Sequence, residues 1–195
     1  MRTLFSGLYL RVMQWSRHPK AVWYLGGLSF AESSFFPIPP DVMLAPMSLA
    51  QPQRALWFAW VTTITSVLGG VFGYLIGLWA FDAISGWLQT SHYWGSFQTA
   101  QAWFVTWGFW AVLIAGFSPI PYKVFTIAAG VAGMPLLPFV LASIAGRGGR
   151  FFLVAMLMKW GGARMEAVLE KWVDRLGWAM VLILVLGLGL WKALA

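Results

Sequence analysis

The sequence predicts an all-α integral membrane protein built as an inverted repeat. Each half is a re-entrant helical hairpin followed by a transmembrane helix, with interfacial amphipathic helices and a C-terminal transmembrane helix added. Three observations point there. Of 195 residues, 60% are hydrophobic and only 10% charged, with mean hydropathy +0.74, against a charged share of about 25% in soluble domains. No charged residue occurs between Arg54 and Asp82 or between Lys123 and Arg147, and a spanning helix needs roughly 20 predominantly apolar residues. Two proline clusters also read alike, Pro37-Ile38-Pro39-Pro40-Asp41-Val42 and Pro119-Ile120-Pro121-Tyr122-Lys123-Val124.

Residues 1–20 read as an interfacial helix. Leu4, Leu8, Val12 and Trp15 share one face, with Arg2, Arg11 and Arg17 nearby. The apolar run after Arg2 is short and no small-residue cleavage pattern follows, which argues against a signal peptide. Residues 21–81 form the first repeat. Its apolar runs, Ala21 to Phe36 and Val42 to Ala50, are too short to cross separately. Pro37, Pro39 and Pro40 remove amide donors between them, so the carbonyls they free need protein partners or water. A hairpin that enters and leaves on one side satisfies both demands. In the crossing helix that follows, Gly69, Gly73 and Gly77 recur every four residues and predict close helix packing.

Residues 82–101, without Lys or Arg, read as an external linker. Residues 102–160 repeat the plan: runs from Trp103 to Phe117 and from Val124 to Met134 flank the break at Pro119 and Pro121, and a crossing helix follows. Here Arg147-Gly148-Gly149-Arg150-Phe151 aligns with Leu68-Gly69-Gly70-Val71-Phe72 after a shift of three in spacing. Residues 161–174 read as a second interfacial helix, introduced by Gly161-Gly162. Residues 175–195 read as a last span lengthened by snorkelling Arg175 and Lys192.

A hairpin plus one crossing leaves each half on the side opposite its start, so the second half must be inverted. Arg2, Arg11, Arg17, Lys20 and Arg54 share a side with Lys159, Arg164, Lys171 and Arg175. The positive-inside rule makes that side, and the N-terminus, cytoplasmic, as expected in a bacterial cytoplasmic membrane. Trp57, Trp79, Trp87, Trp94, Trp160 and Trp178 suit the headgroup level.

Five ionisable residues remain at membrane depth: Glu32, Asp41, Lys123, Arg147 and Arg150. Each costs about 2.5 to 3.5 kcal/mol there, so they need one another, water or a ligand. The repeat places Asp41 on Lys123 and suggests that the two lie close across the pseudo-two-fold axis. Arg147 and Arg150, at i and i+3, share a helix face opened by Gly146, Gly148 and Gly149. Lys123, Arg147 and Arg150 beside helix N-termini make a site for an anion, and a lipid phosphate is the anion most available at that depth. A blander reading of Asp41 is helix capping, and of the arginines headgroup anchoring. Glu32 has no helix end to serve, and a carboxyl in apolar surroundings favours its protonated form unless a cation lies close.

Cysteine is absent and His18 and His92 stand far apart without carboxylates, so no metal site or cofactor is expected. No nucleophile triad is present, which argues against an enzyme. The net charge of +7 flanks apolar runs and fits lipid headgroups, not nucleic acid. Association with further copies of the chain stays open. These residues support a lipid carrier; a proton- or ion-coupled exporter of small cations is the alternative.

The sequence resembles the DedA family, also called the VTT or SNARE-associated group, and most its short YqaA-like branch. The resemblance rests on Glu32-Ser-Ser-Phe-Phe-Pro-Ile-Pro-Pro-Asp41, Gly69-Gly-Val-Phe-Gly-Tyr-Leu-Ile-Gly77, and Phe117-Ser-Pro-Ile-Pro-Tyr-Lys123 running into Ala129-Gly130-Val-Ala-Gly-Met134. It implies opposed re-entrant hairpins and movement of undecaprenyl phosphate or phospholipids between leaflets, driven by protons. Glu32 and Asp41 match the family's functional acids. Its basic pair is matched less closely: Gly116 stands where many members carry arginine, and Lys123 replaces the later arginine at a spacing one residue off.

Overall fold

The computed structural model describes residues 20–36, 38–91, 94–118 and 121–162, with Ser16, His18 and Arg164 besides. The interfacial helices expected over 1–20 and 161–174 and the span over 175–195 fall largely outside the described residues, as do Pro37 and Pro119. Six α-helices are described: α1 Ala21–Ser34, α2 Asp41–Ala50, α3 Ala55–Thr90, α4 Trp94–Phe117, α5 Tyr122–Val131 and α6 Leu136–Gly162. A 3-10 turn, Pro52–Arg54, leads into α3.

The fold class is all-α and membrane-embedded. Three segments are long and apolar enough to cross a bilayer: Pro52–Ala83, Phe97–Phe117 and Leu136–Gly162. By contrast α2 and α5 have 10 residues each, about 15 Å of helix against a hydrocarbon core of about 30 Å. One expectation changes. The charge-free stretch between Lys123 and Arg147 is not one span, because the chain turns at residues 132–135, where Gly133 takes a φ of +66° and Pro135 lacks an amide donor. Within the expected linker, residues 82–90 and 94–101 are helical. No proline lies between Pro52 and Pro119 to stop a helix, and Phe81 of α3 and Phe97 of α4 stack at 5.0 Å.

Helix directions follow from contacts. α1 runs alongside α3 in the same sense: Gly26 meets Val61 and Thr65, Ser29 Oγ donates to the Thr62 carbonyl (2.8 Å), and Ser34 Oγ to that of Gly69 (2.9 Å). The chain must therefore return between them. Ala21 and Leu25 at the start of α1, Leu44 and Met47 of α2, and Ala55 and Phe58 at the start of α3 share one apolar cluster, so α1 and α2 form a hairpin. The second half copies this. Gly116 of α4 lies against Gly146 and Arg147 of α6, and Gly149 of α6 against Phe117, so α4 and α6 are parallel. α5 returns between them, with Gln101 Nε2 donating to the Ala132 carbonyl at 3.1 Å.

The halves then interlock. α5 runs along α3 in the same sense, Gly70 facing Tyr122 and Gly77 facing Ile127. α4 is consequently antiparallel to α1, and the second half is inverted. Gly69, Gly73 and Gly77 serve two neighbours: a Cβ at Gly69 would run into the Phe30 backbone of α1, while those at Gly73 and Gly77 would meet Thr126 and the Ile127 backbone of α5. Without a hydrophobic drive between helices in lipid, such close backbone contact and the serine bonds are what hold α1, α3 and α5 together. In the second half Gly146 plays the part of Gly69, its added Cβ running into Leu113 of α4. Gly148, which the sequence repeat aligns with Gly69, meets only the Thr63 side chain at 3.4 Å.

Candidate functional site

Two hairpin tips and the middle of α6 meet at one place. The first tip comprises the end of α1 with Glu32, the proline segment at Pro39 and Pro40, and Asp41 opening α2. The second comprises Ser118, Pro121, and Tyr122 with Lys123 opening α5. α6 presents Arg147 and Arg150 between them, one turn apart.

Arg147 is only 3% exposed. Its Nη2 donates to Glu32 Oε2 in an ion pair and its Nε to Ser66 Oγ at 2.6 Å, with Ser33 Oγ at 3.4 Å from Nη2. Ser33 and Ser66 are themselves bonded at 2.7 Å. The guanidinium Cζ lies 5.0 Å from the Tyr122 ring centroid and 4.6 Å from that of Phe151. Each ring adds cation–π attraction while the guanidinium is also hydrogen-bonded. Tyr122 is itself held, its Oη donating to Ser143 Oγ at 2.5 Å. A buried charge is tolerated when it is paired and hydrogen-bonded, and Arg147 has Glu32 as its counter-ion with Ser66 and Ser33 as further acceptors.

The second pair is more open. Arg150 Nη2 lies 2.7 Å from Asp41 Oδ2, and each side chain keeps 22% exposure. Arg150 Nη1 also donates to the Ser118 carbonyl at 2.8 Å. Asp41 Oδ1 is buried without a hydrogen-bond partner among the described residues. Lys123 Nζ donates to the Phe36 carbonyl at 3.0 Å and enters no ion pair among the described residues. Each break thus has a carbonyl held by a cation from the second half, Phe36 by Lys123 and Ser118 by Arg150.

Asp41 and Lys123 both join the cluster but form no ion pair with each other among the described residues: α2 packs against the long helix of the other half and Asp41 pairs with Arg150 of α6, while Lys123 bonds the Phe36 carbonyl. Nor does Asp41 cap its helix, since it occupies the first turn and its side chain makes no capping bond. Glu32, Asp41, Lys123, Arg147 and Arg150 do come together, and Pro39, Pro40 and Pro121 border them. Gly69, Gly73 and Gly77 bring α1 and α5 up to α3 beside this cluster. Sequence reasoning passed over Ser33, Ser66, Tyr122 and Phe151. Ser29 with Ser33 and Thr62 with Ser66, each pair four residues apart in an apolar run, were the available signal.

A family model described as the VTT domain matches residues 38–160, most of the chain. The chain belongs to the VTT domain family, the DedA family. An uncharacterized protein of Haemophilus influenzae is 46% identical over 183 residues, covering 94% of this chain and 95% of that protein. One from Histophilus somni is 45% identical over 180 residues, covering 92% and 94%. No solved structure matches. The matched VTT domain begins at Ile38, so it contains Asp41, Lys123, Arg147 and Arg150, while Glu32 reaches the cluster from α1 just ahead of it.

Proposed function

We propose that this protein is a DedA-type membrane lipid transporter that moves a phosphate-bearing lipid, undecaprenyl phosphate or a phospholipid, between leaflets, and that it is not an enzyme. The observation that carries this reading is the meeting of three cations and two carboxylates between the two proline breaks. In this reading the hairpins are re-entrant, the breaks lie at membrane depth, and the N-terminus faces the cytoplasm of a bacterial inner membrane.

The chemistry is exchange of partners. A guanidinium binds carboxylate and phosphate through the same planar donors. Phosphate arriving at Lys123 competes with Asp41 for Arg150, and Asp41 or Glu32 is released by taking a proton. Proton uptake then accompanies head-group binding, and proton release accompanies its departure. The outer pair exchanges first, because its groups are partly exposed and one Asp41 oxygen is unpartnered. Reconstitution tests the proposal. Vesicles containing the protein should accelerate leaflet exchange of undecaprenyl phosphate or a fluorescent anionic phospholipid over empty vesicles. No acceleration of either lipid would sink it.

The unpartnered Asp41 oxygen favours one other reading, a proton- or ion-coupled exporter of small cations in which that carboxylate takes the ion. The two separate at Lys123. Lys123→Gln should cripple lipid movement, but would leave cation export intact.

A further inference from the structure

Between the arms of the second hairpin lies a groove of about 490 Å³ that the charged cluster does not use. Phe104, Val124, Ile127, Ala128 and Val131 line it, and Gln101 stands at the end away from the break. Ligand clefts fall at roughly 300 to 1,000 Å³ and are mostly apolar; this open groove matches them in size and apolar lining, its one polar side chain, Gln101, already bonding the Ala132 carbonyl. We infer that it holds one hydrocarbon chain of a lipid whose phosphate is bound at Lys123, an inference that rests on the lipid-carrying reading of the cluster.

Three features tie the groove to Lys123. Residues four apart on a helix lie above one another, so Lys123 heads the stripe formed by Ile127 and Val131. Its ammonium has three donors, of which Phe36 takes one, and among the described residues no carboxylate neutralises it. The groove follows α5 from Val124 to Ala132, about 12 Å at 1.5 Å per residue. Direction matters too. α1 enters from one face toward the break, while α5 leads from the break toward the opposite face. A lipid drawn in from the face where α1 starts reaches Lys123 with its tail leading and lays that tail along α5 without turning over.

Moving a chain from bilayer to groove gains little, since lipid is as apolar as the lining. Occupancy should therefore depend on the head group, and that dependence is the test. The full chain carrying benzoylphenylalanine at position 128 would be reconstituted in phosphatidylcholine vesicles. Three arms would contain phosphatidic acid, undecaprenyl phosphate, or diacylglycerol with the chains of the phosphatidic acid. After irradiation the adduct is identified by mass. The expected result is severalfold more adduct with a phosphate-bearing lipid than with diacylglycerol, and loss of that excess in Lys123→Gln. The ratio of the two phosphate arms tells which lipid the site prefers. Equal labelling in all arms, or an adduct to residues 165–195 or to a second copy of the chain, overturns the inference. As a second measurement, Ala128→Trp should slow leaflet exchange severalfold while Leu137→Trp, on an exposed face of α6, does not. An unchanged rate in Ala128→Trp overturns the inference as well. Should the wild-type protein move no lipid, the transport reading fails; head-dependent labelling at position 128 would still uphold the groove as a lipid site.

Discussion

The two halves of the repeat share their packing and divide their chemistry. Gly69 brings α3 onto the backbone of α1, and Gly146 brings α6 onto the backbone of α4 in the same way. A ten-residue helix follows the break in each. The charges are not repeated. Both carboxylates, Glu32 and Asp41, come from the first half, and all three cations, Lys123, Arg147 and Arg150, from the second. A scaffold can be doubled because close backbone packing works equally in either orientation. The charges instead gain from being divided, because opposite signs from the two halves attract strongly at low dielectric. Division of sign makes each half unable to bury its own charges, so the halves depend on each other for assembly.

The largest effect should come from removing one partner of the inner pair. Glu32→Ala leaves Arg147 charged and unpaired between α1 and α6, a loss of about 3 to 5 kcal/mol for a broken buried pair, together with loss of lipid movement. Denaturant titration in detergent would measure the first. The double variant Glu32→Ala with Arg147→Met should regain most of that stability and none of the transport. If the double variant is as unstable as the single, the loss belongs to packing around Ser33 and Ser66, and charge division is not what joins the halves.

Next come the shared glycines. Gly69→Ala and Gly146→Ala each press a methyl onto a neighbouring backbone carbonyl and should cost similar amounts, about 1 to 3 kcal/mol each by overpacking. Gly27→Ala, with nothing near the added carbon, should be neutral or mildly stabilising by helix propensity. A costly Gly69→Ala beside a harmless Gly146→Ala would end the claim that the scaffold is doubled. The outer pair should be milder in stability than in function. Asp41→Asn keeps an acceptor for Arg150 and should cost about 1 kcal/mol, the scale of one hydrogen bond, while abolishing proton-dependent transport in a pH-jump assay.

The proline breaks, the five charged residues and the glycine spacing were legible because each violates what a plain membrane helix allows. Partners were not. Register between helices depends on where backbones touch, and the repeat alignment chose Gly148 where packing chose Gly146. Which aligned charges pair was likewise not legible: positions related by the repeat lie symmetrically about an axis, but they touch only if both point inward, and Asp41 pairs with Arg150 of α6 instead. The helices α3 and α4 extend into the expected linker because nothing between Asp82 and Gln101 removes a backbone donor.

The smallest effect distinguishes what holds Arg147 in place. Tyr122→Phe removes one hydroxyl but leaves the ring 5.0 Å from the guanidinium, and Ser143 keeps its own bond to the Phe139 carbonyl at 2.7 Å. The cost should be about 0.5 kcal/mol, at the low end for a single hydrogen bond. Tyr122→Leu also removes the ring face and should cost more, with a coupling to Arg147→Met of about 0.5 to 2 kcal/mol in a double-mutant cycle. The counterpart of Tyr122 in the first half is Pro40, also buried, which offers no aromatic face. If the cycle gives no coupling, Arg147 is fixed by Glu32, the serines and Phe151, and the hydrogen-bonded Tyr122 of the second hairpin does not shape its seat. A clear coupling means that the half supplying the charge also supplies its apolar cradle, leaving only the counter-ion to come from the other side.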